Sequence, residues 1–232
     1  MNIVKQLALD LTSLLYPNLC NGCGIPLVQG EKQICIKCLH DLPFTDFQSF
    51  ADNKVHQLFW GRLHCDNAMA MLYFRKGSKV QHLIHRLKYK NQTALGITLG
   101  QMIGSQLLAA DAYCGAELII PVPLHPKKEK SRGYNQSKYI ADGIATAMGI
   151  PVSTTHLIRQ KETTSQTKKS RYSRFENMQY VFKVSNAEAI RNKHILLVDD
   201  VITTGSTLEA SGIVLLNSGV SKLSIVAAAF AE

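Results

Sequence analysis

Apolar residues fall along the chain in two alternating patterns: short unbroken runs, and longer stretches where they recur every three or four positions. The unbroken runs are AMAMLYF from Ala68, AELIIPV from Ala116 to Val122, ILLV from Ile195 to Val198, and LSIVAAAF near the C-terminus. Each is too short for a helix and suits a strand buried on both faces. Between them, Val80, Leu83, Ile84 and Leu87 keep helical spacing. A further helix is expected from about Thr93 to Ala110, where Gly96, Gly100 and Gly104 permit close packing, and another from Leu208 to Ser218. Strands alternating with helices predict an α/β fold with a largely parallel sheet flanked by helices. The main domain is expected to span residues 68–232.

Two segments precede it. Residues 1–45 open with Ile3, Val4, Leu7, Leu11, Leu14 and Leu15 at helical spacing, which predicts a docking helix. Asp10 interrupts this apolar stretch and no small-residue cleavage site follows, so it reads as a helix rather than a signal peptide. Residues 46–67 are irregular, with scattered Phe47, Phe50, Phe59 and Trp60, and are expected to be linker and domain contact.

Composition narrows the chemistry. At 232 residues and 46% hydrophobic content, the chain can bury one substantial α/β core and carry a small appendage. No apolar run is long enough to span a bilayer, and a cytoplasmic protein is expected. A net charge of +9 favours anionic partners, whether phosphorylated small molecules or nucleic acid. Much of that charge lies in RKGSKVQHLIHRLKYK, which has no acid, and should project from the polar face of the helix around Leu83. That face reads as solvated or as a nucleic-acid or phosphate-facing surface.

Cysteines come in two groups. Cys20-Asn-Gly-Cys23 and Cys35-Ile-Lys-Cys38 form a pair of CxxC knuckles separated by a hairpin-length segment. Four thiolates at that spacing suit one tetrahedral Zn²⁺, and with no position left for water the metal is expected to be structural. Cys65 and Cys114 are read as small buried hydrophobes without a function, and His40 and His64 as surface histidines.

The most specific stretch is HILLVDDVITTGST, from His194 to Thr207. Its strand ends in Asp199 and Asp200, at the edge where open α/β sheets bind ligands. Thr203, Thr204, Gly205, Ser206 and Thr207 then lead into a helix. Small residues let backbone N–H groups close around a phosphate, hydroxyls add donors, and the helix N-terminus adds partial positive charge. Carboxylates beside an anion cradle imply a ligand with both hydroxyls and phosphate, such as a ribose 5′-phosphate. The stretch closely resembles the phosphoribosyl pyrophosphate loop of type I phosphoribosyltransferases. A second strand-loop unit ends in Pro123-Leu124-His125-Pro126, followed by a basic segment and a helix.

PVPLHPKKEKSRGYNQSKYIA, RQKETTSQTKKSRYSRFENMQYVF and HILLVDDVITTGST, behind a four-cysteine segment, together resemble the ComF family of competence-associated, phosphoribosyltransferase-like proteins. The resemblance covers nearly the whole chain. It implies a type I phosphoribosyltransferase-like domain at 68–232 that binds phosphoribosyl pyrophosphate with Mg²⁺ and transfers the phosphoribosyl group, a pentosyl transfer, to a nitrogen nucleophile. Asp199 and Asp200 would hold the ribose hydroxyls, Thr203 to Thr207 the 5′-phosphate, and Pro123, Leu124 and His125 the pyrophosphate. Lys127, Lys128, Lys130 and a catalytic Arg132 would lie in a mobile basic loop over the ligand.

The segment from Arg159 to Asn177, carrying Lys161, Gln166, Lys168, Lys169, Arg171 and Arg174, would form a variable hood. In purine-salvage relatives an acid faces the purine where this chain has Thr203, so the acceptor is left open. The same resemblance carries an alternative: a non-catalytic competence factor that binds single-stranded DNA or senses phosphoribosyl pyrophosphate, with a DNA-uptake helicase as a further partner. Aromatic platforms for base stacking are few, with Tyr73, Tyr89 and Tyr134 as the candidates. Oligomeric state is not legible.

Overall fold

The computed structural model describes residues 17–160 and 181–231. The expected N-terminal helix and most of the hood lie outside the described residues. The elements are α1 (Ile36–His40), α2 (Lys54–Gln57), β1 (Asn67–Phe74), α3 (Lys79–Tyr89), α4 (Thr93–Leu108), β2 (Leu118–Pro121), α5 (Pro126–Arg132) and α6 (Gln136–Met148). They continue with β3 (Leu157–Arg159), β4 (Phe182–Val184), β5 (His194–Ile202), α7 (Ser206–Asn217) and β6 (Lys222–Ala231).

A four-stranded sheet in the order β1-β6-β5-β2 forms the centre, and every pairing in it is parallel. Its strands are the four unbroken apolar runs. Ile195 to Val198 and Ile225 to Ala229 are fully buried, as strands covered on both faces should be. All four strands point their C-terminal ends to one edge, so the loops after β2 and β5 meet there. A separate antiparallel pair, β3-β4, flanks the hood segment.

Helix packing fixes that edge. A Cβ at Gly100 would collide with the Ile140 carbonyl oxygen, and one at Gly143 with the Ile97 carbonyl oxygen. The glycines of α4 therefore do what their spacing predicts, and their partner is α6. This close approach sets the height of α6, whose first turn reaches the end of β5.

Residues 46–67 pack tightly against the sheet. Thr45 donates to the Ala70 carbonyl, and the Asn53 amide donates to the Ala68, Phe47 and Phe50 carbonyls, while its oxygen caps α2. Val55 and Phe59 are fully buried. The contact expected of this segment is present, made by short helices that its irregular sequence did not announce. Two smaller corrections concern single residues. Cys65 is buried, and burial followed by the Asp66 charge pushes its thiol up to about 12, but Cys114 is exposed rather than buried. His40 and His64 lie at the surface as read.

Candidate functional site

The edge where β2 and β5 end opens into a crevice of about 520 Å³. Asp199, Asp200, Thr203 and Thr207 line it from the β5 side, and Val122, Pro123 and Leu124 from the β2 side. Phe74 at the end of β1, Lys88 and Tyr89 of α3, Lys128 and Arg132 of α5, and Ser137 of α6 also line it. Asp199 accepts hydrogen bonds from the Ser137 hydroxyl at 2.9 Å and the Asp200 amide at 2.8 Å. Burial, and then the neighbouring Asp200 carboxylate, push the Asp199 carboxyl up to about 7. Asp200 pairs with the Lys88 ammonium at 3.0 Å.

Beyond the two acids the chain turns through the small polar loop. Thr203 and Thr207 face the crevice, and the Thr204 and Ser206 hydroxyls are 3.0 Å apart. Gly205 sits at φ 72°, a left-handed conformation at the start of α7 where glycine carries no steric cost. It also rests on the Phe59 ring, which a Cβ would approach to 3.0 Å, tighter than an ordinary contact. Arg62 donates to the Thr204 carbonyl at 3.2 Å and pairs with the buried Glu209 in the first turn of α7. The segment expected as linker thus supports the loop from below.

The opposite side carries a correction. The basic stretch expected as a mobile loop is helical, forming α5. The His125 ring nitrogen accepts from the Lys127 amide at 3.2 Å, Pro126 occupies the first turn, and Gly133 ends the helix at φ 80°. These are standard start and stop signals, and Lys, Glu and Arg are good helix formers. His125, read with Pro123 and Leu124 as a pyrophosphate contact, is used here as a cap and is not among the crevice-lining residues.

SRGYNQS explains much of the geometry. Gly133 stops α5, and the Tyr134 hydroxyl donates to the Leu87 carbonyl at the end of α3. Asn135 caps α6 and donates to the Val122 carbonyl at 2.9 Å. Gln136 accepts from Arg132 at 3.0 Å, and Ser137 reaches Asp199. In the sequence this segment stands out only as a family mark, and none of these roles is legible in it. Lys88 is one charge among many on a polar helix face. The one available signal was that its run contains no acid, so any partner had to come from far along the chain.

A second cluster stands apart from the crevice. The sulfur atoms of Cys20, Cys23, Cys35 and Cys38 all lie within 4.8 Å of one another. Cys23 and Cys35 sulfurs are 3.8 Å apart, and tetrahedral zinc with Zn–S near 2.3 Å requires about that separation. The Gly22 and Cys35 amides point at the Cys20 sulfur from 3.4 and 3.2 Å. Burial opposes the Cys20 thiolate, but the amides of Cys35, Cys23 and Gly22 outweigh it and lower the thiol to about 6. Burial and then the neighbouring sulfurs push Cys38 the other way. The donor set fits zinc, and a dication would let all four ionise together. The module docks on α3, where the Gly22 carbonyl lies 3.3 Å from a His82 ring nitrogen and Asp41 pairs with Lys79 at 2.7 Å.

Residues 135–231 match the family model described as the phosphoribosyl transferase domain. The chain is 32% identical over 212 residues to competence protein F of Haemophilus influenzae, covering 89% of this chain and 82% of that protein. It is 27% identical over 228 residues to the DNA utilization protein YhgH of Escherichia coli, covering 91% of this chain and 96% of that protein. The match to the YhgH protein of Salmonella typhimurium, 27% over 146 residues, covers 62% of this chain and 63% of the length of that relative. A glutamine phosphoribosylpyrophosphate amidotransferase from B. subtilis aligns with a TM-score of 0.46 at 18% identity, over 62% of this chain and 30% of that one. With a parallel sheet flanked by helices, a four-cysteine cluster in front and a relative at this identity along most of its length, the chain belongs to the competence protein F family, with a type I phosphoribosyltransferase-like fold.

Proposed function

We propose that the chain binds phosphoribosyl pyrophosphate with Mg²⁺ in the crevice and transfers the phosphoribosyl group to a nitrogen nucleophile, in the service of DNA uptake or utilization. The observation that carries this reading is the placement of Asp199 and Asp200, Thr203 to Thr207, and Pro123-Leu124 around one cavity at one sheet edge. In this reading the ribose hydroxyls donate to Asp199 and Asp200, and the 5′-phosphate rests on the loop that starts α7. Ser137 holds the Asp199 carboxylate in place. When bound, Mg²⁺ would offset charge on the pyrophosphate oxygens. In the reaction the bond from the anomeric carbon to pyrophosphate breaks and its electron pair leaves with pyrophosphate. The acceptor nitrogen forms the new bond to that carbon and gives up a proton. Lys128 and Arg132 line the crevice where negative charge would grow, which is where fixed cations lower the barrier.

Zinc on Cys20, Cys23, Cys35 and Cys38 is proposed as a structural ion, and its reduced thiols suit a cytoplasmic setting. The names of the relatives, competence protein F and DNA utilization protein, support the DNA context. Among the described residues no helix is long and apolar enough to cross a membrane.

Calorimetry with phosphoribosyl pyrophosphate and Mg²⁺ tests the donor. Binding to the native protein should be lost in Asp199→Ala/Asp200→Ala, and unchanged binding in that variant would defeat the assignment. Pyrophosphate release across a panel of amines and bases would then identify the acceptor. A single-strand-binding reading is favoured by one observation, the exposed Tyr89 beside Lys127, Lys128 and Arg132. In that case affinity for an oligonucleotide should fall steeply with salt without any pyrophosphate release.

A further inference from the structure

Much of the crevice wall comes from before residue 135, where the matched region begins, and Lys88 of α3 is one of those residues. Its ammonium pairs with Asp200 at 3.0 Å within the crevice lining, with side-chain exposures of 23% for the lysine and 11% for the aspartate. The two acids therefore differ in their supply of partners. Asp199 is held by Ser137 and a backbone amide, but the partner of Asp200 is a flexible cation.

The backbone around Lys88 is fastened on both sides. The Leu87 carbonyl accepts from the buried Tyr134 hydroxyl, and the Tyr89 ring lies 5.2 Å from the Arg132 guanidinium. Val80, Leu83, Ile84 and Leu87 bury the inner face of α3. What remains free to move is the four-carbon stem of Lys88. Lys88 also lines a second, adjoining cavity of about 340 Å³ together with Tyr89, Lys127, Lys128, Ser131 and Arg132. In the empty protein that second cavity repels the ammonium, since three other cations line it, and Asp200 attracts it. A polyanion placed between those cations reverses the balance.

Resting on the donor reading above, we propose that Lys88 is a hand-off residue. It occupies Asp200 while the crevice is empty, yields Asp200 to the ribose hydroxyls when the donor enters, and moves its ammonium onto the pyrophosphate. Lys88 thereby discriminates a ribose phosphate that carries pyrophosphate from one that does not. Ribose 5-phosphate must displace the ammonium and offers it nothing in return, whereas phosphoribosyl pyrophosphate gives it a new partner.

The test uses the full-length protein with Mg²⁺ and three probes: phosphoribosyl pyrophosphate, inorganic pyrophosphate and ribose 5-phosphate. In Lys88→Gln, affinity for the two pyrophosphate-bearing probes should fall by about tenfold or more, the scale of one charged hydrogen bond. Affinity for ribose 5-phosphate should hold or rise, which also shows that the variant is folded. Lys88→Arg should recover most of the pyrophosphate affinity. If all three probes weaken together in Lys88→Gln, Lys88 only positions Asp200 and the hand-off is wrong. It is equally wrong if none of the affinities moves. Native protein that binds neither phosphoribosyl pyrophosphate nor ribose 5-phosphate would instead overturn the donor reading itself, and the hand-off with it.

Discussion

The four-cysteine module and the crevice are both compact clusters of polar groups, yet they are held in opposite ways. The module has few buried apolar side chains, chiefly Ile34 and Leu42, and leaves Ile25, Val28 and Ile36 exposed at 55%, 67% and 76%. Its amides converge on sulfur, so its geometry is ready for a metal that would supply much of its folding energy. The crevice rests on a parallel sheet whose central residues are fully buried. One region is an electrostatic knot around an expected cation. The other is a rigid hydrophobic platform that brings charged groups to its edge. The two meet on α3, which receives the module through His82 and Lys79 and reaches the crevice through Lys88.

The largest effect that would sharpen this contrast is loss of metal. Cys20→Ser or a strong chelator should release zinc and unfold residues 17–42, removing on the order of 10 kcal/mol of metal-linked folding energy. The sheet should keep a separate cooperative thermal transition. Metal analysis with limited proteolysis reads both, and a single transition lost with the metal would break the distinction.

Next is the support under the loop that starts α7. Arg62→Ala strips Glu209 of its cation while Glu209 remains buried at 2% exposure, and should cost about 1–3 kcal/mol in urea unfolding. Adding Glu209→Gln should return part of that loss.

A comparable or slightly smaller effect is expected at the α4–α6 contact. Gly100→Ala forces a methyl against the Ile140 carbonyl and should cost about 1–3 kcal/mol. Because α6 carries Ser137, donor affinity should fall as well. Stability lost with donor affinity intact would uncouple the platform from the site.

A last effect is read through pH rather than through a lost contact, at Asp199. Its carboxyl is raised to about 7, so between the usual carboxylate range and 7 the folded state holds a proton that the unfolded chain has released. Stability from this group is therefore greatest below the ordinary aspartate value, and it declines as pH rises toward 7. Donor binding should run the other way, strengthening from pH 6 to 8 as the carboxylate forms. Asp199→Asn should flatten that part of the profile relative to native protein.

The four strands of the parallel sheet, helices α3, α4, α6 and α7, the glycine-lined contact and the grouping of four cysteines were legible from local pattern, whereas α5 and the β3-β4 pair were not. Period and burial are linked by geometry that one segment carries within itself: Ile195 to Val198 can be read as a buried strand without knowing its neighbours, and Asp199 and Asp200 follow at its end. CxxC knuckles likewise carry their ligand spacing in a few residues. The partners of those acids were not legible in this way. Ser137 reaches Asp199 from 62 residues away, and Lys88 reaches Asp200 from a run read as one more polar helix face. Arg62 and Phe59 support Thr204 and Gly205 from a segment with no period at all. Short-range pattern determines which elements form, because helix and strand periodicities are local. Which side chains meet at the sheet edge was decided only when packing brought α3, α6 and residues 58–62 to the end of β5.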